Sequence, residues 1–320
     1  GVDEIGVRFH AGEIRRTEQL LGGALPADCR IMPLYGSMDF RAQRAAIAPL
    51  ASGRKIVLAT SIAETSLTIE DIRVVVDCGR ARRARFDPGA GMSRLVTERV
   101  TKAEAHQRRG RAGRVAQGHC YRLWTKGEEG GMAPFPPPEI EAADLSGLVL
   151  ELALWGATGI QAIEEMAFLT LPNPGAFGRA QDLLRTLGAL DVAGAITPQG
   201  RKLAAIPLHP RLGHMLLQGG ESAALLAALL ADRDPLRGAG VDLMARKSAL
   251  ENPGRFDAKS GEILNRDAAA RINAEASRLA RFTTAKNNDL GWPQLAALAF
   301  PDRIGMRRQG SAPRWVLSGG

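Results

Sequence analysis

The stretch "QRRGRAGR", Gln107 to Arg114, sets four arginines and two glycines in eight positions. A solvated basic helix face tolerates Lys and Arg at almost any spacing, so an all-arginine set punctuated by Gly110 and Gly113 asks for a geometric reason. Arginine is the side chain for planar, bidentate phosphate contact, and an arginine that reaches a γ-phosphate across a cleft stabilises charge developing during phosphoryl transfer. Arg111 and Arg114 are three apart, so on a helix or its last turn both can point at one ligand. Gln107, one turn earlier, can hydrogen-bond the same phosphate or an attacking water. Gly110 and Gly113 are expected to let the arginine-bearing backbone approach that ligand closely.

A second stretch, "KIVLATSIAETSLTI" (Lys55 to Ile69), ends an apolar run in hydroxyls and one carboxylate. At the carboxyl end of a parallel strand, backbone N–H groups and Ser or Thr hydroxyls can hold phosphate oxygens, although a hydroxyl-rich loop that caps itself has the same composition. Charge supports the phosphate reading by its location. The chain carries +8 overall, with a pI near 9.9, and Arg80 to Arg114 holds 11 basic residues against three acidic ones, an excess of +8 in that window alone. Arginine-rich base composition would spread the excess evenly, whereas binding a polyanion requires a concentrated patch.

These motifs need a frame to hold them, and the first ~125 residues alternate helical and strand patterns. "AGEIRRTEQLLGGAL" predicts a helix before a strand at "CRIMPLY" (Cys29 to Tyr35), and a second helix near Asp39 to Leu50 precedes the strand "KIVLAT". "IRVVVDCG" is too short for a helix and rich in β-branched residues. Such alternation implies right-handed crossovers and an α/β domain with a parallel sheet. "RARFDPGAGMSRLV" predicts a β-hairpin turning at Pro-Gly-Ala-Gly, with arginines on both arms. "TKAEAHQRRGRAG" then starts a helix at Thr101, with Glu104 at capping-box spacing, and "GHCYRLWT" supplies a last strand.

Four prolines in "MAPFPPPEI" place a linker at residues 132–140. Beyond it the pattern is mainly α, with helices at "AADLSGLVLELALWG", "GRAQDLLRTLGAL" and "SAALLAALLADRD", and a long one from Gly261 to Lys286. Two short segments around Gly194 suit the wing of a winged helix, a unit that binds DNA in some proteins and only packs against neighbours in many others. "APRWVLSGG" reads as the start of a β domain.

Composition removes other classes. The chain is 45% hydrophobic with 5% aromatic residues, as in a globular protein. No apolar run approaches the ~18 to 20 residues that span a bilayer, and no signal pattern opens the chain, so no membrane partner and a cytoplasmic location are expected. Cys29, Cys78 and Cys120 form no CxxC pair, and five scattered histidines show no metal-ligand spacing.

"ATSIAETSLTI" resembles motif V and "QRRGRAGR" resembles motif VI of superfamily 2 helicases. With "PLYGSMDFRAQRAAI" upstream, they are similar to the second RecA-like domain, a P-loop NTPase-type parallel sheet, of DEAH-box helicases of the bacterial HrpB type. "DLSGLVLELALWG" and "LLRTLGALD…ITPQGRKLAAIPLHPRLGHML" resemble that family's winged-helix and helical, ratchet-like region. The resemblance covers Ala11 to Leu317. It implies a RecA-like domain over residues 1–131, the linker, a winged helix over 141–206, a helical domain over 207–300, and an incomplete OB-like β domain over 301–320. It further implies ATP and Mg2+ as cofactors, the metal held by a first RecA-like domain, and single-stranded RNA, or DNA, as a partner.

Carried over residue by residue, the likeness makes Arg111 and Arg114 arginine fingers and Gln107 a γ-phosphate contact. Ser66 and Thr68 would sense nucleotide, while Thr60 and Ser61 would touch the nucleic-acid backbone. Gly36 and Ser37 are a further backbone-contact corner. The Arg80 to Val96 hairpin would act as a strand-separating wedge, with Arg83, Arg85 and Arg94 on the nucleic acid.

Departures from the pattern carry expectations of their own. The chain contains no GxxxxGK[ST] and no DEAH stretch, so alone it is not expected to hydrolyse ATP. Arg8, Phe9 and His10 interrupt the buried apolar strand that relatives place before the "GEIRR"-like helix, as in a chain truncated or out of register at its beginning. Ser61 stands where relatives commonly have Asn, and Ile47 lies near a position where eukaryotic relatives stack a Phe on the adenine. A nucleic-acid-binding module that has lost catalysis is the alternative, and it predicts salt-dependent binding indifferent to ATP. A winged-helix transcription regulator has no use for the Gln107 to Arg114 array.

Overall fold

The computed structural model describes residues 4–8, 11–36, 38–60, 69, 72–87, 92–114, 116–256, 261–283, 289–310 and 314–318. The chain divides into two compact units, the first ending at Ala143 and the second starting at Asp144.

Unit 1 runs β1 (Glu4–Arg8), α1 (Ala11–Leu21), β2 (Cys29–Leu34), α2 (Phe40–Ile47), β3 (Arg54–Ala59), β4 (Ile72–Asp77), β5 (Arg80–Asp87), β6 (Met92–Arg99), α3 (Lys102–Gly110), β7 (His119–Arg122), α4 (Lys126–Gly130) and α5 (Glu139–Ala142). Five strands form a parallel sheet in the order β2-β3-β1-β4-β7. β3 is buried along nearly its whole length, as a strand covered on both faces must be. Two core clusters flank it, one around Leu34, Val57, Val75 and Ala112, the other around Ile14, Ile56 and Leu58.

The beginning of the chain departs from expectation. Glu4–Arg8 is the middle strand of the sheet, pairing in parallel with β3 on one side (Ile5 with Ile56) and β4 on the other (Val7 with Val76). A backbone ladder on both sides positions a strand whatever its last side chain, and Arg8 stands only at the carboxyl end; Phe9 and His10 lie outside the described residues. α1 and α2 stop short of their expected ends, at the Gly22-Gly23 pair and before Pro49.

The proline-rich segment is part of unit 1. The first amides of α3, on Lys102 and Ala103, have no partner within the helix and donate instead to the carbonyls of Ala133 (2.9 Å) and Pro134 (3.0 Å). Met132 is buried with Val100 and Ala105.

Unit 2 is mainly helical: α6 (Ser146–Leu154), α7 (Ile160–Glu164), α8 (Pro174–Thr186), α9 (Pro198–Ala204), α10 (Pro210–Gly219), α11 (Ala224–Ala231), α12 (Leu243–Glu251), α13 (Arg266–Leu279) and α14 (Trp292–Ala299). Met215, Leu216, Leu226, Ile272, Leu279 and Leu295 build its core from α10, α11, α13 and α14. The expected wing is a single bridge, Leu190 with Ile196, around Gly194 at φ 86°. α13 is shorter than the Gly261 to Lys286 pattern, because the Asn265 side chain accepts the Ala268 amide (3.1 Å) and starts the helix there.

Two strand pairs, β8 (Leu236–Arg237) with β9 (Ile263–Leu264) and β10 (Gly305–Arg307) with β11 (Trp315–Leu317), complete the unit. Pro210–Ala231, against the sequence expectation, is long and apolar enough to cross a bilayer by composition. It is interrupted at Gly220, φ 67°, and supplies much of the unit 2 core.

Candidate nucleotide and nucleic-acid site

α3 carries the arginine array, and its start is fixed by a full capping box. The Thr101 hydroxyl accepts the Glu104 amide (3.3 Å), while the Glu104 carboxylate accepts the Thr101 amide and hydroxyl (both 2.8 Å). The helix ends at Gly110, and the chain tightens into i→i+3 turns, Arg111 N to Arg108 O and Ala112 N to Arg109 O (both 3.1 Å). Gln107 is exposed one turn before Arg111, which is half-buried, and Arg114 is exposed. Burial, and after it the charge of Arg114, push the Arg111 guanidinium pKa down. Two arginines this close, following the end of one helix, form a concentrated positive field suited to a polyphosphate.

The neighbouring arginine goes the other way. Arg108 is buried, with Nη1 2.7 Å from Asp77 Oδ1 and 3.3 Å from the Arg80 carbonyl. Asp77 closes β4, and its Oδ1 also accepts the Gly79 amide at 3.0 Å. This pair fastens α3 to the sheet, so it fixes where Arg111 and Arg114 stand. Sequence reasoning missed it, though a signal existed: Asp77 is the one carboxylate in the apolar run "IRVVVD", and a buried acid needs a cation.

A Cβ at Gly110 or Gly113 would meet nothing within 4 Å, so no described neighbour requires glycine there. Gly118 is the constrained position: a Cβ would lie 2.0 Å from the Ala112 carbonyl oxygen and 2.5 Å from that of Arg73. That close approach lets the segment leaving the array pack onto the start of β4. Ile69, at the end of the hydroxyl-rich stretch, packs on the same core cluster as Ala112. Ser66, Thr68 and Ser61 lie outside the described residues, as does Ser37.

A second group of candidates gathers at the carboxyl ends of β2 and β3. The Thr60 amide donates to the Leu34 carbonyl at 3.0 Å, which sets Thr60 beside the turn containing exposed Gly36. Gln43 of α2, not singled out from sequence, holds that turn by donating to the Met38 carbonyl (3.1 Å) and, at 3.5 Å, to those of Tyr35 and Gly36.

The hairpin forms as expected, pairing Arg80 with Arg99 through Asp87 with Met92. Strand alternation sets exposed Arg82 on one face and Arg83 and Arg85 on the other. Arg83 faces inward to Glu98 (3.0 Å) and Glu104, and Arg85 binds Glu98 with Nη2 at 2.9 and 3.0 Å from its two oxygens. Both guanidiniums are thus engaged by carboxylates, because Glu98 and Glu104, distant in sequence, lie on their face. Arg94, opposite Arg85, is exposed, as are Arg82, Leu95 and Thr97.

Among the described residues no three His, Cys, Asp or Glu side chains come together to hold a metal. In unit 2, Ser146, His209 and Asp144 resemble a nucleophile's triad in residue types only. His209 Nδ1 accepts the Arg211 amide (3.3 Å), so Nε2 is the protonated nitrogen, and it faces both Ser146 Oγ (3.0 Å) and Asp144 Oδ2 (3.4 Å). With no basic nitrogen toward the hydroxyl, the group is a structural cap.

Residues 10–116 match the helicase conserved C-terminal domain, and residues 180–208 match the winged-helix helicase associated domain (HA2). The chain is 39% identical to the ATP-dependent RNA helicase HrpB of Escherichia coli over 97% of its own length and 36% of that protein's. It is 40% identical to the pre-mRNA-splicing factor ATP-dependent RNA helicase prp22 of Schizosaccharomyces pombe over 63% of the chain, covering 17% of that protein. The crystal structure of Escherichia coli DEAH/RHA helicase HrpB superposes with a TM-score of 0.83 at 36% identity, over 100% of this chain and 39% of that one. The chain therefore spans little more than a third of the HrpB proteins it matches. In sequence and in backbone the chain is thus similar, along nearly its whole length, to DEAH-box helicases of the bacterial HrpB type.

Proposed function

We propose that this chain is the arginine-finger half of an ATP-dependent RNA helicase. The observation that carries the reading is the juxtaposition of Arg111 and Arg114 at the end of a helix anchored to the sheet by Arg108 and Asp77. ATP would bind between unit 1 and a first RecA-like domain carrying the phosphate-cradling loop that this sequence lacks. Arg111 and Arg114 would stabilise charge on the transferring phosphoryl group, with Gln107 on the γ-phosphate or attacking water. Ser66 and Thr68 would report the state of the nucleotide. Mg2+, held by the first domain, would neutralise charge on the β- and γ-phosphates.

Single-stranded RNA would run past the carboxyl edge of the sheet, held through its phosphates by Thr60, Ser61, Gly36 and Ser37, with Arg94 on the hairpin. Contacts to backbone rather than bases suit a motor that moves without sequence preference. Closure on ATP and reopening after hydrolysis would move the strand past the helical part of unit 2, the expected ratchet.

The test is steady-state ATPase of the chain alone and joined to a matching first RecA-like domain, with and without single-stranded RNA. RNA-stimulated activity only in the joined form, lost in Arg111→Ala, is expected. Salt-sensitive RNA binding with no hydrolysis in either form would replace this reading by a binding module.

A further inference from the structure

The hairpin and the arginine-bearing helix are fastened together by several contacts. Arg83 of β5 reaches across to Glu104 of α3, and both side chains are largely buried, at 18% and 13% exposure. The same Arg83 holds Glu98 of β6, which holds Arg85 of β5, so one chain of charges runs from α3 into both arms. From the far end of α3, Arg108 reaches the carbonyl of Arg80, the first residue of the hairpin. Ala81 of β5 packs on the cluster containing Ala105 of α3. Burial alone raises the Glu104 pKa, but the Thr101 amide and the Arg83 guanidinium outweigh it and hold the carboxyl below its ordinary range, so the pair is ionised at neutral pH.

We infer that α3 and the β5–β6 hairpin move as one rigid body, and that the Glu104–Arg83 pair transmits displacement of the arginine array to the hairpin, coupling ATP turnover to strand separation. Glu104 and Arg83 are positioning residues in this scheme. The inference rests on the helicase reading above. Its geometric basis is that α3 carries Gln107 and leads into Arg111 and Arg114 at one end, and holds the hairpin at the other through Glu104. As the arginines engage a phosphate, α3 and the sheet it is anchored to are drawn with them, and the pair keeps the hairpin arms from lagging behind, since a largely buried ion pair resists being pulled apart.

Glu104 also caps its own helix, which makes the choice of substitution decisive. Glutamine at the third helical position keeps the capping box but loses the charge, so Glu104→Gln removes the coupling and spares the helix start. Arg83→Gln breaks the same pair from the hairpin side without touching the cap. Both variants, and the double variant, would be made in the complete enzyme, this chain with its first RecA-like domain. RNA-stimulated ATPase, duplex unwound per ATP hydrolysed, and thermal midpoint would be read for each.

Each single variant is expected to keep ATPase within about 2-fold while unwinding per ATP falls about 5-fold. The double variant should be no worse than either single one, because both remove one interaction. Unchanged unwinding per ATP, or an additive double variant, overturns the inference. A parallel fall in ATPase, unwinding and thermal midpoint also overturns it, since a merely structural role would do that. A wild-type enzyme with no RNA-stimulated ATPase would instead remove the helicase reading itself.

Discussion

Arg108 and Asp77 meet at 2.7 Å in the interior of unit 1, with 4% and 1% of their side chains exposed. Asp77 Oδ2, buried beside this contact, has no hydrogen-bond partner among the described residues, so the carboxylate depends heavily on its guanidinium neighbour. Removing one charge of such a pair strands the other in a low-dielectric site. Asp77→Asn is therefore expected to destabilise unit 1 by about 3–5 kcal/mol, measured by urea unfolding. ATP turnover should fall with it although Arg111 and Arg114 are unchanged.

The arginines of the array should separate sharply in kinetics. Arg111→Ala and Arg114→Ala are each expected to lower kcat by roughly 10³-fold or more, the scale of a lost arginine finger. Arg109, exposed and with its Nη2 3.3 Å from His106 Nδ1, should tolerate alanine within about 2-fold. Single-turnover ATP hydrolysis in the complete enzyme distinguishes these outcomes.

Glycine substitutions should rank by what a Cβ would meet. Gly118→Ala puts a methyl 2.0 Å from the Ala112 carbonyl and should destabilise by about 1–3 kcal/mol or more. Gly110→Ala meets nothing within 4 Å and should leave the thermal midpoint nearly unchanged. If Gly110→Ala nonetheless abolishes ATPase, the space it fills belongs to the ligand.

Arg94 and Arg85 should differ in their salt dependence. Arg94 is exposed, and Arg85 is bound to Glu98. Arg94→Ala is expected to reduce the slope of log affinity for single-stranded RNA against log salt by about 0.7, one phosphate contact. Arg85→Ala should leave the slope unchanged, as read by fluorescence anisotropy over a salt series.

Acid should loosen the hairpin and the helix cap together. The Arg85 hydrogen bond leads the effects that hold Glu98 below its ordinary 4.5, and Glu104 is held below it as well. A carboxyl with a depressed folded pKa contributes stability that is complete above its unfolded value and lost as pH falls through the folded one. Unfolding free energy is therefore expected to be flat above about pH 6 and to decline below about pH 4.5. Glu104→Gln should shrink that decline in a denaturant series across pH.

Much of this protein was readable along the chain because its signals are local. Strand periodicity, the Thr101 to Glu104 cap and the two arms of the hairpin depend on neighbours within a few residues, and each forms where its pattern stands. The arginine array was likewise visible, since arginine and glycine at fixed spacing need no partner to be recognised. Tertiary structure alone decided what those side chains face. It turned Arg108 inward to Asp77 and bound Arg83 and Arg85 to glutamates, leaving Arg94 exposed. It also made Glu4–Arg8 the middle strand and drew the proline-rich segment onto the start of α3. Each of these is a contact between residues far apart in sequence, governed by burial and charge pairing, which spacing along one segment does not encode.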